Sequence, residues 1–320
     1  MKTKRSTQTG ITLVELMVAL AIGSFLMIGA VQIYNQSRQS FMVNESIARV
    51  QETAQFAMDT IETDIRMASN WGRNSRGSSV EGRSVVGDSN PSNLTTLPIE
   101  CGDDWANDLG TPLDGSNAGY DLPCAAKGGA VANSDVITVR RASVNPVAPD
   151  AGRLQIQSTR IQGEIFEDGV IPGTFLPADS ATHNLLVSSY YVSPTSELIG
   201  GVPTLRRKRL GAGPAIIDEE VAPGVENIQL QLGIDVNQDD TVDIYVNPGD
   251  AIYDPSAAGY IPGSRVLTAR VWMIVRSINI EVGIQDNRDY EPGDVDLGVQ
   301  NDSFRRLQIS KTILLRNART

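Results

Sequence analysis

The stretch TGITLVELMVAL, residues 9 to 20, sets one carboxylate, Glu15, inside an apolar run that continues to Val31. An ionised side chain in hydrocarbon or in a dry core costs several kcal/mol or more unless it is paired or neutralised. Upstream, residues 1–10 (MKTKRSTQTG) carry Lys2, Lys4 and Arg5 and no acid. From Ile11 to Val31 the 21 residues hold one charge and are interrupted only by Thr12, Glu15, Gly23, Ser24 and Gly29. A basic leader before an apolar run is the pattern of a membrane-targeting segment whose positive end stays in the cytoplasm. A cleaved secretory signal has a shorter apolar stretch, about 7–15 residues, and an A-x-A-like site after it. The following GAVQIYNQS offers no such site. A plain transmembrane anchor fits the length of about 20 residues but leaves Glu15 without a reason.

Past Gln32 the apolar residues thin out and keep helical spacing. Ile47, Val50, Ala54, Ala57, Met58, Ile61 and Ile65 recur every three or four residues, with Glu45, Arg49, Glu52, Asp59, Glu62 and Asp64 between them. That is one stripe of a 3.6-residue period, the mark of a helix docked on a globular core. No proline occurs between residues 11 and 90. One helix can therefore run from Ile11 to about Asn70, roughly 90 Å at 1.5 Å per residue. The expected stop is SNWG, residues 69–72, with Gly72 as the terminating glycine.

Residues 72–134 are rich in Gly, Ser, Asn and Asp and read as an irregular excursion. From 135 to 320 short runs favour strands: DVITVRR, LLVSSYYV, PTLRRKRL, VENIQLQLGI, SRVLTARVWMIVRS and RRLQISKTILL. In VENIQLQLGI, Ile228, Leu230, Leu232 and Ile234 alternate with polar residues and Gly233, the period of a half-buried strand. Turn clusters such as VNPGD separate the runs. The expected fold class is α+β, a long N-terminal helix packed by its second half on a mostly antiparallel sheet. The expected divisions are a leader at 1–10, a membrane-spanning half-helix at 11–31, an amphipathic half at 32–71, the excursion, and the β-rich head.

Composition narrows the function. The 320 residues carry 38 Asp plus Glu against 27 Lys plus Arg, and no basic stripe interleaved with aromatics, which argues against nucleic acid as a partner. The basic run Arg206-Arg207-Lys208-Arg209 reads as a strand edge that resists self-pairing, or as a contact to acidic neighbours. The two cysteines, Cys101 and Cys124, form an even pair in a loop-rich segment, which in an exported chain reads as one disulfide. The single histidine, His183, stands in an expected polar loop beside Asn184 with no nucleophile or acid motif, and Ser/His/Asp, P-loop and zinc patterns are absent. Asp235, Asn237, Asp239, Thr241 and Asp243 place oxygens at positions 1, 3, 5, 7 and 9 of a calcium-type loop. Position 6 is Asp240 instead of Gly and position 12 is Val246 instead of Glu, so the same residues also read as an acidic hairpin turn. Calcium is thus the one cofactor the sequence raises, and no enzymatic constellation is found.

GITLVE, residues 10–15, resembles the class III signal of type IV pilins and type II secretion pseudopilins, with Ile11 where Phe is usual. The resemblance implies that prepilin peptidase cleaves between Gly10 and Ile11 and that the new Ile11 amine is N-methylated. The apolar helix is then retained. It also implies a partner for Glu15. The freed α-amine is a cation near pH 7, and pairing within the chain or across subunits offsets desolvation of both charges. Loss of Lys2, Lys4 and Arg5 moves the formal charge from −11 to −14.

Four further segments, ARVQETAQFAMDTIETDIRMASNWG, VPTLRRKRL, VAPGVENIQLQLGIDVNQDDTVD and ISKTILLRN, are similar in the same order to the PilW family of minor pilins. The resemblance implies a structural subunit that helps prime type IV pilus assembly at or near the tip. Its expected partners are other minor pilins, the major pilin, prepilin peptidase, a tip adhesin and inner-membrane lipid. It implies a single pass of the inner membrane with a periplasmic head before assembly, and a place in the pilus at the cell surface afterwards. The alternative within the superfamily is a J-like minor pseudopilin of type II secretion.

Overall fold

A computed structural model describes residues 10–83, 100–213, 215–281 and 283–318. The leader residues 1–9 and residues 84–99 of the excursion lie outside the described residues. The chain divides into two compact units between Ala48 and Arg49.

The first unit is helical. Helix α1 spans Leu13–Arg66, and its first 36 residues, through Ala48, belong to this unit. Thr12 caps it: the Thr12 carbonyl accepts the first helical hydrogen bond, from the Leu16 N–H at 3.1 Å. No proline interrupts it. Its apolar side chains stand exposed, among them Leu13 (74%), Phe25 (78%) and Met27 (71%). A helix this long and apolar is able to cross a membrane.

The second unit holds the end of α1 and the head. Val50, Ala54, Ala57, Met58, Ile61 and Ile65 are buried along one face of α1, and each large apolar side chain removed from water contributes about 1.5–3 kcal/mol. The helix ends at Arg66, earlier than SNWG. The Met67 and Ala68 N–H groups tighten the last turn onto Asp64 and Ile65, and Ser69, with φ 65°, takes the left-handed position expected of Gly72. The early stop lets Trp71 turn into the core, where it is fully buried. Gly72 has its own requirement. Its φ is +85°, and a Cβ there would lie 2.5 Å from His183 Cδ2 and from Ser158 Oγ.

The head contains β1 (Val80–Glu81), α2 (Asp103–Asn107), β2 (Leu113–Ser116), β3 (Val136–Ala142), β4 (Gln155–Ser158), β5 (Gly163–Phe166) and β6 (Ala181–Ser193). It continues through β7 (Thr204–Leu210), β8 (Ile216–Pro223), β9 (Val225–Asp235), β10 (Ile244–Val246), β11 (Arg265–Arg276) and β12 (Arg306–Leu314). One sheet runs β1-β5-β4-β6-β3-β2, with β7 joined to β6 and β8 to β7. The other runs β10-β9-β11-β12. All pairings are antiparallel except β1 with β5. The excursion is therefore part of the fold: β2 pairs with β3 and β1 with β5. Strands β4 and β5 carry too few residues to show a period in the sequence.

The main core joins the buried face of α1 to Ile137, Val139, Tyr190, Leu205, Ile228, Leu230, Leu232, Val271, Met273 and Ile313. A second cluster gathers Trp71, Trp105, Leu109, Leu154, Ile156, Ile165 and the two cysteines. Strand β9 is not half-buried as its alternation predicts, because its polar face is covered too. Gln229 has no exposed surface, and its amide donates to the Asn133 carbonyl (2.8 Å) and to Asn227 Oδ1 (2.8 Å).

Candidate functional site

The signal stretch resolves into local chemistry. The Thr12 N–H and hydroxyl both donate to Glu15 Oε2 at 2.9 Å, and the Glu15 N–H donates to Thr12 Oγ1 at 3.3 Å. This is a reciprocal capping box, legible as T-x-x-E but not read from the sequence above. Glu15 thus closes the first turn of α1, four residues after Ile11. Gly10 is exposed, and among the described residues no atom lies within 4 Å of where its Cβ would be.

At the other end of α1 two of the acids set between the stripe residues, Glu62 and Asp64, are buried. Asp64 receives the Tyr190 hydroxyl at 2.7 Å and Arg141 Nη2 at 2.8 Å. Glu62 pairs with Arg66 at 2.8 Å and with Lys311 of the last strand. These pairings bind the helix to β3, β6 and β12 by charge as well as by apolar contact. Period analysis cannot see them, because it assigns every charged residue to water.

The basic run lies on β7, between β6 and β8, and is not an edge. Its register sets Arg206 opposite Glu220, Arg207 opposite Glu219 and Lys208 opposite Asp218. Arg206, 1% exposed, holds Asp218 at 2.8 Å and Glu197 at 3.0 Å, while Lys208 holds Asp218 at 2.8 Å. Burial alone would raise the Asp218 carboxyl, but hydrogen bonds from Lys208, Arg206 and Tyr191 outweigh it and hold the pKa below the ordinary value. The four cations meet Asp218, Glu219 and Glu220 of the IIDEEV run, and Arg206 also meets Glu197, which is the contact to acidic neighbours read from the sequence.

The calcium-type loop is closed on itself. Asp235, fully buried, receives the Gln238, Asp239 and Asp240 N–H groups at 2.6, 3.3 and 3.0 Å. Arg265 Nη2 caps the same carboxylate at 2.9 Å. Asp239 accepts the Thr241 N–H at 2.9 Å, Asp243 accepts the Val236 N–H at 2.8 Å, and Asn237 Oδ1 accepts the Asp239 N–H at 3.0 Å. Among the described residues no group of three or more His, Cys, Asp or Glu gathers into a metal-holding cluster. The five residues form an Asx-rich turn, with Gln238 and Asp240 at positive φ.

Cys101 and Cys124 are joined as a disulfide with Cα atoms 4.5 Å apart, inside the second cluster. His183 lies on β6, not in a loop, and is buried. Its Nδ1 faces the Ser143 carbonyl at 2.7 Å and its Nε2 has no hydrogen-bond partner, packed against the Gly72 turn.

Residues 189–317 match the family Type IV Pilus-assembly protein W (PilW), and residues 5–31 match the prokaryotic N-terminal methylation motif. No curated protein matches the chain. A type IV-like pilin from Thermus thermophilus is similar in structure at 10% identity and a TM-score of 0.38, over 84% of this chain and 96% of that one. The methylation motif thus lies at the start of α1 and the W-type match runs from β6 through β12, so both ends of the chain carry the marks of a PilW-type type IV pilin.

Proposed function

We propose that the chain is a minor pilin that helps prime type IV pilus assembly and sits at or near the pilus tip. The observation that carries this reading is the opening of α1. Its apolar run starts directly after Gly10, with Glu15 fifth in the processed chain, while the buried end of the same helix is keyed into the head by Asp64 and Glu62. Such a helix supplies anchor and filament core in turn, and the head supplies surfaces for neighbours.

On this reading prepilin peptidase cuts before Ile11 and methylates its amine. The chain waits in the inner membrane with the head on the periplasmic side, and then joins other minor pilins and the major pilin, beneath any adhesin at the tip. Its work is structural and non-catalytic. Deleting the gene and scoring surface pili against secreted exoproteins tests the assignment. Loss of pili with normal secretion is the expected result. Normal pili with failed secretion would replace it by a J-like pseudopilin role.

A further inference from the structure

The outer face of the β10-β9-β11-β12 sheet holds an arginine unlike the others. Every other Lys or Arg on a strand has an oxygen partner. Arg140 donates to the Trp105 and Thr111 carbonyls. Arg141, the β7 cations, Arg265, Arg276, Arg306 and Lys311 each pair with a carboxylate. Arg270 is the exception among the described residues. Its guanidinium lies 4.1 Å from the Tyr245 ring centroid and 5.7 Å from that of Trp272, with no carboxylate beside it.

Stacking holds the planar fork in place without using its in-plane N–H donors. The register supplies its surroundings. Arg270 stands opposite Gln231 on β9 and Thr312 on β12, and Trp272 stands opposite Ser310. Side chains at paired positions share a face, so the exposed hydroxyls of Ser310 and Thr312 flank the guanidinium. Leu314, 42% exposed and paired with Thr268, extends the same face with an apolar group. Gly233 leaves room for the aromatic wall, since a Cβ there would lie 3.0 Å from Tyr245 Cε1.

We propose that this face binds an acidic polypeptide segment of a partner protein. An Asp or Glu carboxylate meets the Arg270 fork, Ser310 and Thr312 donate beside it, and apolar neighbours of that acid cover Tyr245, Trp272 and Leu314. Charge complementarity selects the carboxylate, because a pre-ordered guanidinium lacking an internal acid is matched by an external one. The guanidinium already lies over both rings, which favours an anion over a neutral sugar stacked on them.

The test uses the full chain in detergent micelles and reads acrylamide quenching of tryptophan. Trp71 and Trp105 are buried (0% and 4% exposed), so quenching reports Trp272. The probes are a peptide of alternating Leu and Glu, its Leu and Gln counterpart, and glucuronic acid. The expected result is that the Glu peptide protects Trp272 and the Gln peptide does not. Arg270→Gln should weaken that protection at least about tenfold, Arg270→Lys should fall between, and Arg160→Gln, in an exposed loop, should match the parent. An unchanged thermal melt by circular dichroism shows that Arg270→Gln is folded. If it is not folded, the Arg270→Lys result decides. Equal protection by the Gln peptide, parental binding in the Arg270 variants, no protection at millimolar Glu peptide, or protection by glucuronic acid alone would each overturn the proposal.

Discussion

The Tyr190 hydroxyl, in the last third of the longest strand, β6, donates to Asp64 on α1 at 2.7 Å, across 126 residues of sequence. Arg141 from the neighbouring strand completes the carboxylate at 2.8 Å. The bond ties the helix to the head at one polar point inside an apolar interface.

Removing that acid leaves Arg141 and the Tyr190 hydroxyl without their partner in a dry site. Asp64→Ala is expected to destabilise the head by about 3–5 kcal/mol, and Tyr190→Phe by about 1–3 kcal/mol. Denaturant unfolding of the full chain in detergent, followed by near-ultraviolet circular dichroism, measures both. Changes under 0.5 kcal/mol, about the size of an ordinary surface substitution, would mean that the pairing adds nothing to docking.

Asp135 gives the head a pH dependence of definite sign. Burial pushes its carboxyl from 3.8 up to about 6, against the Ala118 and Leu230 N–H groups that donate to it at 2.7 Å. Between those values the folded chain binds more protons than the unfolded one, so this group's contribution is full below pH 3.8 and is lost as the pH rises through about 6. The loss is on the order of 3 kcal/mol. Asp135→Asn cannot titrate. Its stability relative to the parent should therefore improve from pH 4 to pH 7, and a parallel pair of stability-against-pH curves would refute the assignment.

The disulfide should matter through the unfolded state. Its sequence separation is 23, and closing a loop of that length stabilises by about 3 kcal/mol in the chain-entropy model. The Cys101→Ser and Cys124→Ser double variant is expected to lose about that much in denaturant unfolding. Parental stability after reduction would contradict it.

The loop from Asp235 to Asp243 should ignore calcium, since its carboxylates are turned onto backbone N–H groups and Arg265. Calorimetric titration at millimolar calcium is expected to give no heat in the parent. Arg265→Ala should cost about 1–3 kcal/mol, because Asp235 loses its guanidinium but keeps the backbone N–H groups. Measurable calcium heat in the parent would restore the cation reading.

Most of the fold is legible where a period is long enough to read. The stripe from Val50 to Ile65 and the alternation in β6, β7, β9, β11 and β12 appear directly in the chain. Strands of two to four residues, such as β1, β4 and β5, do not, since so few positions fit any pattern. Burial of polar side chains is the other blind spot. Asp64, Glu62, Gln229 and His183 are inside because a partner from a distant strand or loop meets them, and no local window contains that partner. Of the two readings of the β7 cations, the edge fails and the contact to acidic neighbours holds: their acids sit on β8, just past the Gly-Ala-Gly-Pro run at 211–214. At the N-terminus a short-range rule was present and unread: Thr12 and Glu15 close the first turn together.

The central claim is that α1 is kept and opened by one cut. Mass spectrometry of the chain recovered from cells tests it most directly. The expected result is a mature N-terminus at Ile11 carrying an added methyl group, with residues 1–10 gone. A chain beginning at Met1, or one cut near residue 30 with the apolar helix lost, would contradict it.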